Sequence, residues 1–265
     1  MIKIEDVFVV FYAGTPLERV ALRGVNFTVN SGELVSVLGN NGSGRTTLLK
    51  FLAGHVAVNF GRLWVDGKDV TSQTLNERSK LFSSVFFDHN VCTAGSLTVL
   101  ENLVMASLHH QSKSFIRPAI NSTVEDQYYD LLKNVNFLEM EKLLHEQVCN
   151  IPKPYKQVLA LLIAVIKGAK VVLIDEHSTG LDVDASKALL EATYKIVKSK
   201  KITTIMAIND PKFALSRSDH AIVLNYGQVV ADLSGEEKNH TKLEDLFMSF
   251  GKMPKIFNKK PPMNI

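Results

Sequence analysis

Apolar residues fall in short blocks along this chain, and the period of the blocks changes repeatedly. Ile2–Phe11 and residues 22–29 have the character of strands, and Leu34–Leu38 is a continuous apolar run that stops on Gly39. From 46 to 53 the spacing turns helical. Residues 62–65 lead into Asp66-Gly67-Lys68-Asp69, a short strand and turn in which Asp-Gly supplies the tight geometry. The stretch 98–165 is helical in pattern, with a polar interruption at 109–118. Strands return at 171–174, Thr203–Ala207 and 221–224, with helical stretches between them.

Strands alternating with helices predict an α/β fold, a mostly parallel sheet covered by helices. The pattern shows no internal repeat. It predicts one domain over residues 1–251, with a helical subdomain at about 90–165 and a flexible tail at 252–265 that ends in a Lys-Lys-Pro-Pro run. Residues 241–250 carry Leu243, Leu246, Phe247 and Phe250 on one side, as a C-terminal helix packing on its own domain would. With 46% hydrophobic residues in 265, a full core is expected.

Thirty Lys+Arg against 27 Asp+Glu leave a net charge of +3, too balanced to argue for nucleic acid. The two cysteines, Cys92 and Cys149, have no ligand spacing and read as free thiols of a reducing cytosol. The opening Met1-Ile-Lys-Ile-Glu-Asp lacks the form of a secretory leader. The apolar window 158–165 is far shorter than the ~20 residues that span a bilayer, so a soluble protein is expected. His89, His109 and His110 have no third ligand at helical or hairpin spacing and read as solvated histidines.

Chemistry enters at Gly39-Asn40-Asn41-Gly42-Ser43-Gly44-Arg45-Thr46-Thr47, placed between an apolar strand and a helix. This is a phosphate-binding loop, G-x-x-x-x-G-K-[ST], with arginine in place of lysine. The glycines let backbone N–H groups face a β-phosphate at a helix N-terminus, and Thr46 would place its hydroxyl on Mg²⁺. Lysine suits the seventh position because a compact ammonium folds back to bridge β- and γ-phosphates. The wider guanidinium of Arg45 keeps the charge without reaching the same point. Further on, Val171-Val172-Leu173-Ile174-Asp175-Glu176 is an apolar strand ending in two acids. With the upstream loop, it becomes the second element of a nucleotide site: Asp175 would hold Mg²⁺ through water, and Glu176 would act as general base on the attacking water.

These elements, with Thr179-Gly180-Leu181-Asp182, Ser31-Gly32-Glu33-Leu34 and the run Leu97 to Leu103, resemble the ATP-binding subunit of ABC transporters along nearly the whole chain. The resemblance implies a P-loop NTPase of ABC type, with an antiparallel β-subdomain and an inserted helical subdomain. It implies ATP and Mg²⁺ as cofactors, with Tyr12 stacking on the adenine. It implies as partners a membrane permease, a second nucleotide-binding subunit and, indirectly, a substrate-binding protein, with the chain cytoplasmic and peripheral on the membrane through the permease. Asp175-Glu176-His177 and Leu233-Ser234-Gly235-Glu236-Glu237 are similar to one importer branch, associated with substrate-binding proteins for tryptophan, tyrosine or related molecules.

Against that pattern stand four departures. Arg45 is one. The signature Leu-Ser-Gly-Gly-Gln is replaced by Ile151-Pro152-Lys153-Pro154-Tyr155, in which the prolines have no N–H to give a γ-phosphate. Phe87 stands where the family has a glutamine beside Mg²⁺, and Asn209 where it has the switch histidine. Asn209 can still donate to a phosphate oxygen but stays neutral. Losing one transition-state donor costs roughly 3 kcal/mol, so several lost together imply weak hydrolysis or none. Three readings follow: a transporter subunit degenerate in catalysis, a non-catalytic pseudo-ATPase that stabilises or regulates a complex, and a soluble ATPase unrelated to transport.

Overall fold

The strands sort into two sheets according to how their sequences alternate. A computed structural model describes residues 1–85, 93–108, 120–175, 181–235, 238 and 248. Strands β1 (Ile2–Phe11), β2 (Arg19–Val29), β4 (Phe60–Val65) and β5 (Lys68–Asp69) form an antiparallel sheet in the order β2-β1-β4-β5. Ile2 lies opposite both Val29 and Val65, so the outer strands flank the first. Strands β3 (Leu34–Leu38), β6 (Phe82–Val85), β7 (Val171–Asp175), β8 (Thr203–Ala207), β9 (His220–Asn225) and β10 (Gln228–Ser234) form the second, in the order β10-β9-β3-β8-β7-β6. All its pairs are parallel except β9 with β10.

Parallel strands buried on both faces read as continuous apolar runs. All five residues of each of β3, β7 and β8 are buried. Their side chains still divide by parity. Val35, Val37, Leu173 and Ile205 join the apolar cluster around α1 (Arg45–Ala53), together with Ile2, Val25, Leu63 and their neighbours from the antiparallel sheet. Leu34, Leu38, Ile174 and Met206 face the other cluster, which holds the apolar sides of α3 (Val99–Ser107), α4 (Ser122–Val135), α5 (Lys153–Ile166) and α6 (Val183–Ser199). Helix α1 is thus enclosed between the two sheets, with Leu48, Leu49, Phe51 and Leu52 fully buried.

Register decides what meets at the edge of the parallel sheet. Val37 of β3 and Asp175 of β7 both stand beside Ala207 of β8. The C-terminal ends of the three strands therefore open at one level, the usual place for a ligand in an open α/β sheet.

The expected α/β class and mostly parallel sheet are present. Strand β2 begins at Arg19, ahead of the expected 22. The one-turn helix α2 (Leu75–Arg78) and strand β10 were not anticipated, because a four-residue helix and a half-exposed edge strand leave little periodicity to read. The helical stretch 98–165 is divided: α3 opens with a capping box in which Thr98 and Glu101 satisfy each other's backbone N–H groups, and short 3₁₀ turns at Met140–Leu143 and Val148–Asn150 precede α5. Helix α7 (Pro211–Arg217) follows β8. Among the described residues, no helix is long and apolar enough to cross a membrane. The expected C-terminal helix at 241–250 (Met248 apart), the tail at 252–265, the three histidines and Cys92 lie outside the described residues.

Helix α1 is anchored at its C-terminal end by Arg78, which is 2% exposed. Its guanidinium donates to the carbonyls of Phe51 at 2.5 Å and Leu52 at 3.2 Å, and also to Val70 at 3.2 Å and Thr71 at 2.8 Å. Its charge lies 5.3 Å from the centre of the Phe51 ring. Burial pulls the Arg78 pKa below its ordinary value, with Asp69 opposing that. Helix C-terminal carbonyls have no partner within the helix, so a cation there satisfies them and complements the dipole. Arg78→Ala should lower the unfolding free energy by about 3 kcal/mol, since several buried carbonyls lose their donors together. Chemical denaturation of the two chains would check it; a change within 0.5 kcal/mol, typical of surface sites, would count against this anchor.

Candidate functional site

The turn after β3 closes around small residues because larger ones would collide. A Cβ on Gly39 would sit 2.4 Å from the Leu224 carbonyl oxygen. One on Gly44, at the N-cap of α1 with φ 107°, would sit 2.7 Å from that of Ala21. The loop is therefore pressed between β2 and the β9–β10 turn, where Gly227 donates its N–H to the Ser43 carbonyl at 2.8 Å. A cavity of about 730 Å³ opens above it, lined by Asn40, Asn41, Gly42, Ser43, Gly44, Arg45, Thr46 and Thr47, with Arg19, Arg23 and Tyr226 across from them. A second, of about 650 Å³, lies on the other side of the loop, between Gly39, Asn40, Asn41 and Ile208, Asn209.

Sequence-predicted residues meet here. The Thr46 hydroxyl is 3.3 Å from a carboxylate oxygen of Asp175, which is 6% exposed at the end of β7. The two supply hard oxygen donors side by side, the donor type that Mg²⁺ takes. Ser43 is 3% exposed, lines the cavity, and its hydroxyl has no hydrogen-bond partner among the described residues. A buried hydroxyl left without a partner, above a loop that admits no extra Cβ, fits a site built to receive an oxygen-rich anion.

Arg45 takes another direction. The residue is 5% exposed, and its Nη1 donates to the Ile208 carbonyl at 2.9 Å and to the Asn209 Oδ1 at 2.5 Å. The residue in the lysine position and the residue in the switch position are bonded to each other. A planar guanidinium reaches sideways from α1 to the end of β8 where a lysine ammonium would have one charge and no fork. Asn209 presents its amide oxygen, not its N–H₂ group, to the arginine.

Tyr12, expected to stack on adenine, is not among the residues lining the cavity. It is 69% exposed, in a turn where its carbonyl accepts from the Thr15 backbone N–H at 3.1 Å and hydroxyl at 2.7 Å. The signature position does open a helix, as expected: Pro152 caps α5 and Pro154 lies in its first turn, with no side-chain cap. Glu176 and Phe87 lie outside the described residues, as do Thr179 and Gly180, whereas Asp182 caps α6 by accepting from the Ala185 N–H at 2.8 Å. Among the described residues, no group of three or more His, Cys, Asp or Glu is arranged to hold a metal by itself. Sequence reading missed Arg19, Arg23 and Tyr226. They come to the cavity through the pairing of β2 and the β9–β10 turn with the loop, which no local spacing reveals.

A strand, a glycine-rich loop and a helix, with an acid ending a neighbouring strand, define a P-loop nucleotide-binding domain. Residues 22–179 match the ABC transporter family. The chain is 31% identical over 226 residues to a tyrosine transport ATP-binding protein of Clostridioides difficile, covering 85% of this chain and 89% of that one. It is 26% identical over 211 residues to the spermidine/putrescine import ATP-binding protein PotA of Mesoplasma florum, covering 80% of this chain and 56% of PotA, little more than half. The fold is shared with cbiO1 of Clostridium perfringens, part of an ABC transporter complex, at a TM-score of 0.74 and 20% identity over 93% of this chain and 92% of that one. An ATP-binding cassette in its ADP conformation superposes at a TM-score of 0.73 and 22% identity, covering 95% of this chain and 99% of that one. The chain belongs to the ABC transporter family, as one of its ATP-binding subunits.

The bonds of Arg45 predict a stability effect that a solvent-facing lysine would not show. Arg45→Met should destabilise the nucleotide-free chain by about 2 kcal/mol, because the Ile208 carbonyl and the Asn209 amide lose a charged donor. Denaturation without nucleotide would measure it. An unchanged midpoint would mean that these bonds contribute nothing to the fold.

Proposed function

We propose that this chain binds ATP with Mg²⁺ and couples to a membrane permease of a small-molecule or amino-acid import system, with hydrolysis weak or lost. The transport proteins named above support the import reading, and the tyrosine transport relative supports an amino-acid substrate class. The single observation that carries the catalytic half is the bond from Arg45 to Asn209. In this reading the charged group that would hold a γ-phosphate is tied by Nη1 to the end of β8, and Asn209 offers there only a neutral N–H₂ donor.

Each residue then has a role. Gly39, Asn40, Asn41, Gly42, Ser43, Gly44 and Thr47 would wrap the phosphates, chiefly through backbone N–H groups. Thr46 and Asp175 would hold Mg²⁺, which when bound neutralises charge on the phosphates. Glu176 remains the proposed base, with Tyr12 at the nucleobase. Subunits of this kind act in pairs across a shared nucleotide, so a second nucleotide-binding subunit is the proposed partner, with a substrate-binding protein reached indirectly and the chain on the cytoplasmic face of the membrane. Pro152 and Pro154 support a second reading, in which the chain is a non-catalytic pseudo-ATPase that stabilises or regulates its complex, because the helix they open lacks two backbone donors at the position facing a partner's nucleotide.

The test is MgATP affinity by calorimetry, with turnover measured beside it. Binding at micromolar to low-millimolar strength with turnover at least ~100-fold below that of an intact cassette is expected. Arg45→Lys combined with Asn209→His should raise turnover more than either alone, since each single change leaves one altered group behind. Fast hydrolysis by the unaltered chain would overturn the proposal, and copurification with a membrane protein would separate the two readings from a soluble ATPase.

A further inference from the structure

A nucleotide polyphosphate carries several negative charges, and a site that binds it needs a cation able to follow them. Arg45 is poorly placed for that work. Its guanidinium is buried and commits Nη1 to the Ile208 carbonyl and the Asn209 amide. Another arginine faces the same cavity from the opposite wall. Arg19, the first residue of β2, is exposed, lines the cavity, and makes no side-chain hydrogen bond or ion pair among the described residues. Its Nη2 lies 3.8 Å from the point that a Cβ on Gly42 would occupy, so the guanidinium hangs directly over the loop. The next residue of the loop, Ser43, has a buried hydroxyl with no hydrogen-bond partner among the described residues. Arg23, four residues along β2, lines the same wall and adds positive charge.

We propose that Arg19, reaching from β2 across Gly42, supplies the cation to the polyphosphate of a bound nucleoside di- or triphosphate that Arg45 does not supply. This rests on the nucleotide-binding reading above and goes further by naming the charged group. A guanidinium on an exposed stem can present its fork to two phosphate oxygens at once.

The experiment uses the full chain, with MgADP and inorganic tripolyphosphate as probes, titrated against the unaltered protein, Arg19→Gln and Arg19→Lys. Arg19 is exposed, so unchanged unfolding midpoints should accompany both variants. Arg19→Gln should weaken both probes about tenfold, the size of one lost charge-assisted contact, and Arg19→Lys should recover part of it. The affinity of the unaltered chain should also fall more steeply with salt than that of Arg19→Gln. If Arg19→Gln binds both probes as the unaltered chain does, the proposal fails. If it weakens MgADP and leaves tripolyphosphate unchanged, Arg19 touches base or ribose and the proposal fails. Should the unaltered chain bind tripolyphosphate but not MgADP, the nucleotide reading fails alone, and Arg19 is judged on tripolyphosphate. Binding of neither probe would overturn both.

Discussion

A buried guanidinium must find acceptors within the protein, since its donors have given up water and the cost of leaving them unmade is large. At Arg45 those acceptors are a backbone carbonyl and an amide at the end of β8. The first residue of α1 is thereby tied to β8, distant in chain order from β3 but its neighbour in the sheet. The phosphate loop, held at Gly39 and Gly44 by backbone oxygens of β9 and β2, has little freedom left at its C-terminal side. The site is a rigid cradle whose charge is fixed at its floor.

That rigidity has a second source in the register of the parallel sheet. Because Val37, Ala207 and Asp175 stand level, the loop, the segment Ile208–Asn209 and the acid all leave the sheet at the same height. A slip of one residue would turn the buried set of a strand to the opposite face. With Val35 and Val37 committed to the α1 cluster and Leu34 and Leu38 to the other, such a slip is strongly disfavoured. Core packing therefore sets the 3.3 Å approach of Thr46 to Asp175, without contact from any ligand.

Much of this was legible in the sequence, and for a physical reason. Fully buried parallel strands must be apolar throughout, so β3, β7 and β8 announce themselves within a residue or so of their true ends. The loop motif is contiguous and is read from its spacing, although the collisions that require Gly39 and Gly44 are with backbone of β9 and β2. What the sequence concealed arises from tertiary pairing. Arg19 and Tyr226 reach the cavity because β2 and the β9–β10 turn pack on the loop, and nothing in their local pattern marks them. Nothing in the local pattern marks Arg78, which closes the end of α1 from 27 residues beyond Phe51. Tyr12 was named for the adenine by family resemblance; the residue is 69% exposed in the turn at residues 12–15, outside the cavity lining.

Four departures from the family pattern look independent when read along the chain, and their combined weight argued for a dead site. In three dimensions two of them are one. Arg45 needs an acceptor where the switch residue stands, and asparagine offers a carbonyl oxygen there at 2.5 Å. A protonated histidine in its place would offer no acceptor and would set two cations against each other in a buried setting. Lysine at 45, being shorter and without a fork, would have less use for the asparagine oxygen. Arginine and asparagine are therefore a matched pair, each disfavouring the family residue at the other's position. Matched substitutions point to a site kept ordered under a changed requirement, since residues released from all constraint would not be expected to satisfy each other's hydrogen bonds. The changed signature at Pro152 and Pro154 keeps its separate weight, because those residues open α5, whereas the pair joins α1 to the end of β8. Three alterations, the matched pair of Arg45 and Asn209, the signature segment and Phe87, describe this chain better than four independent ones.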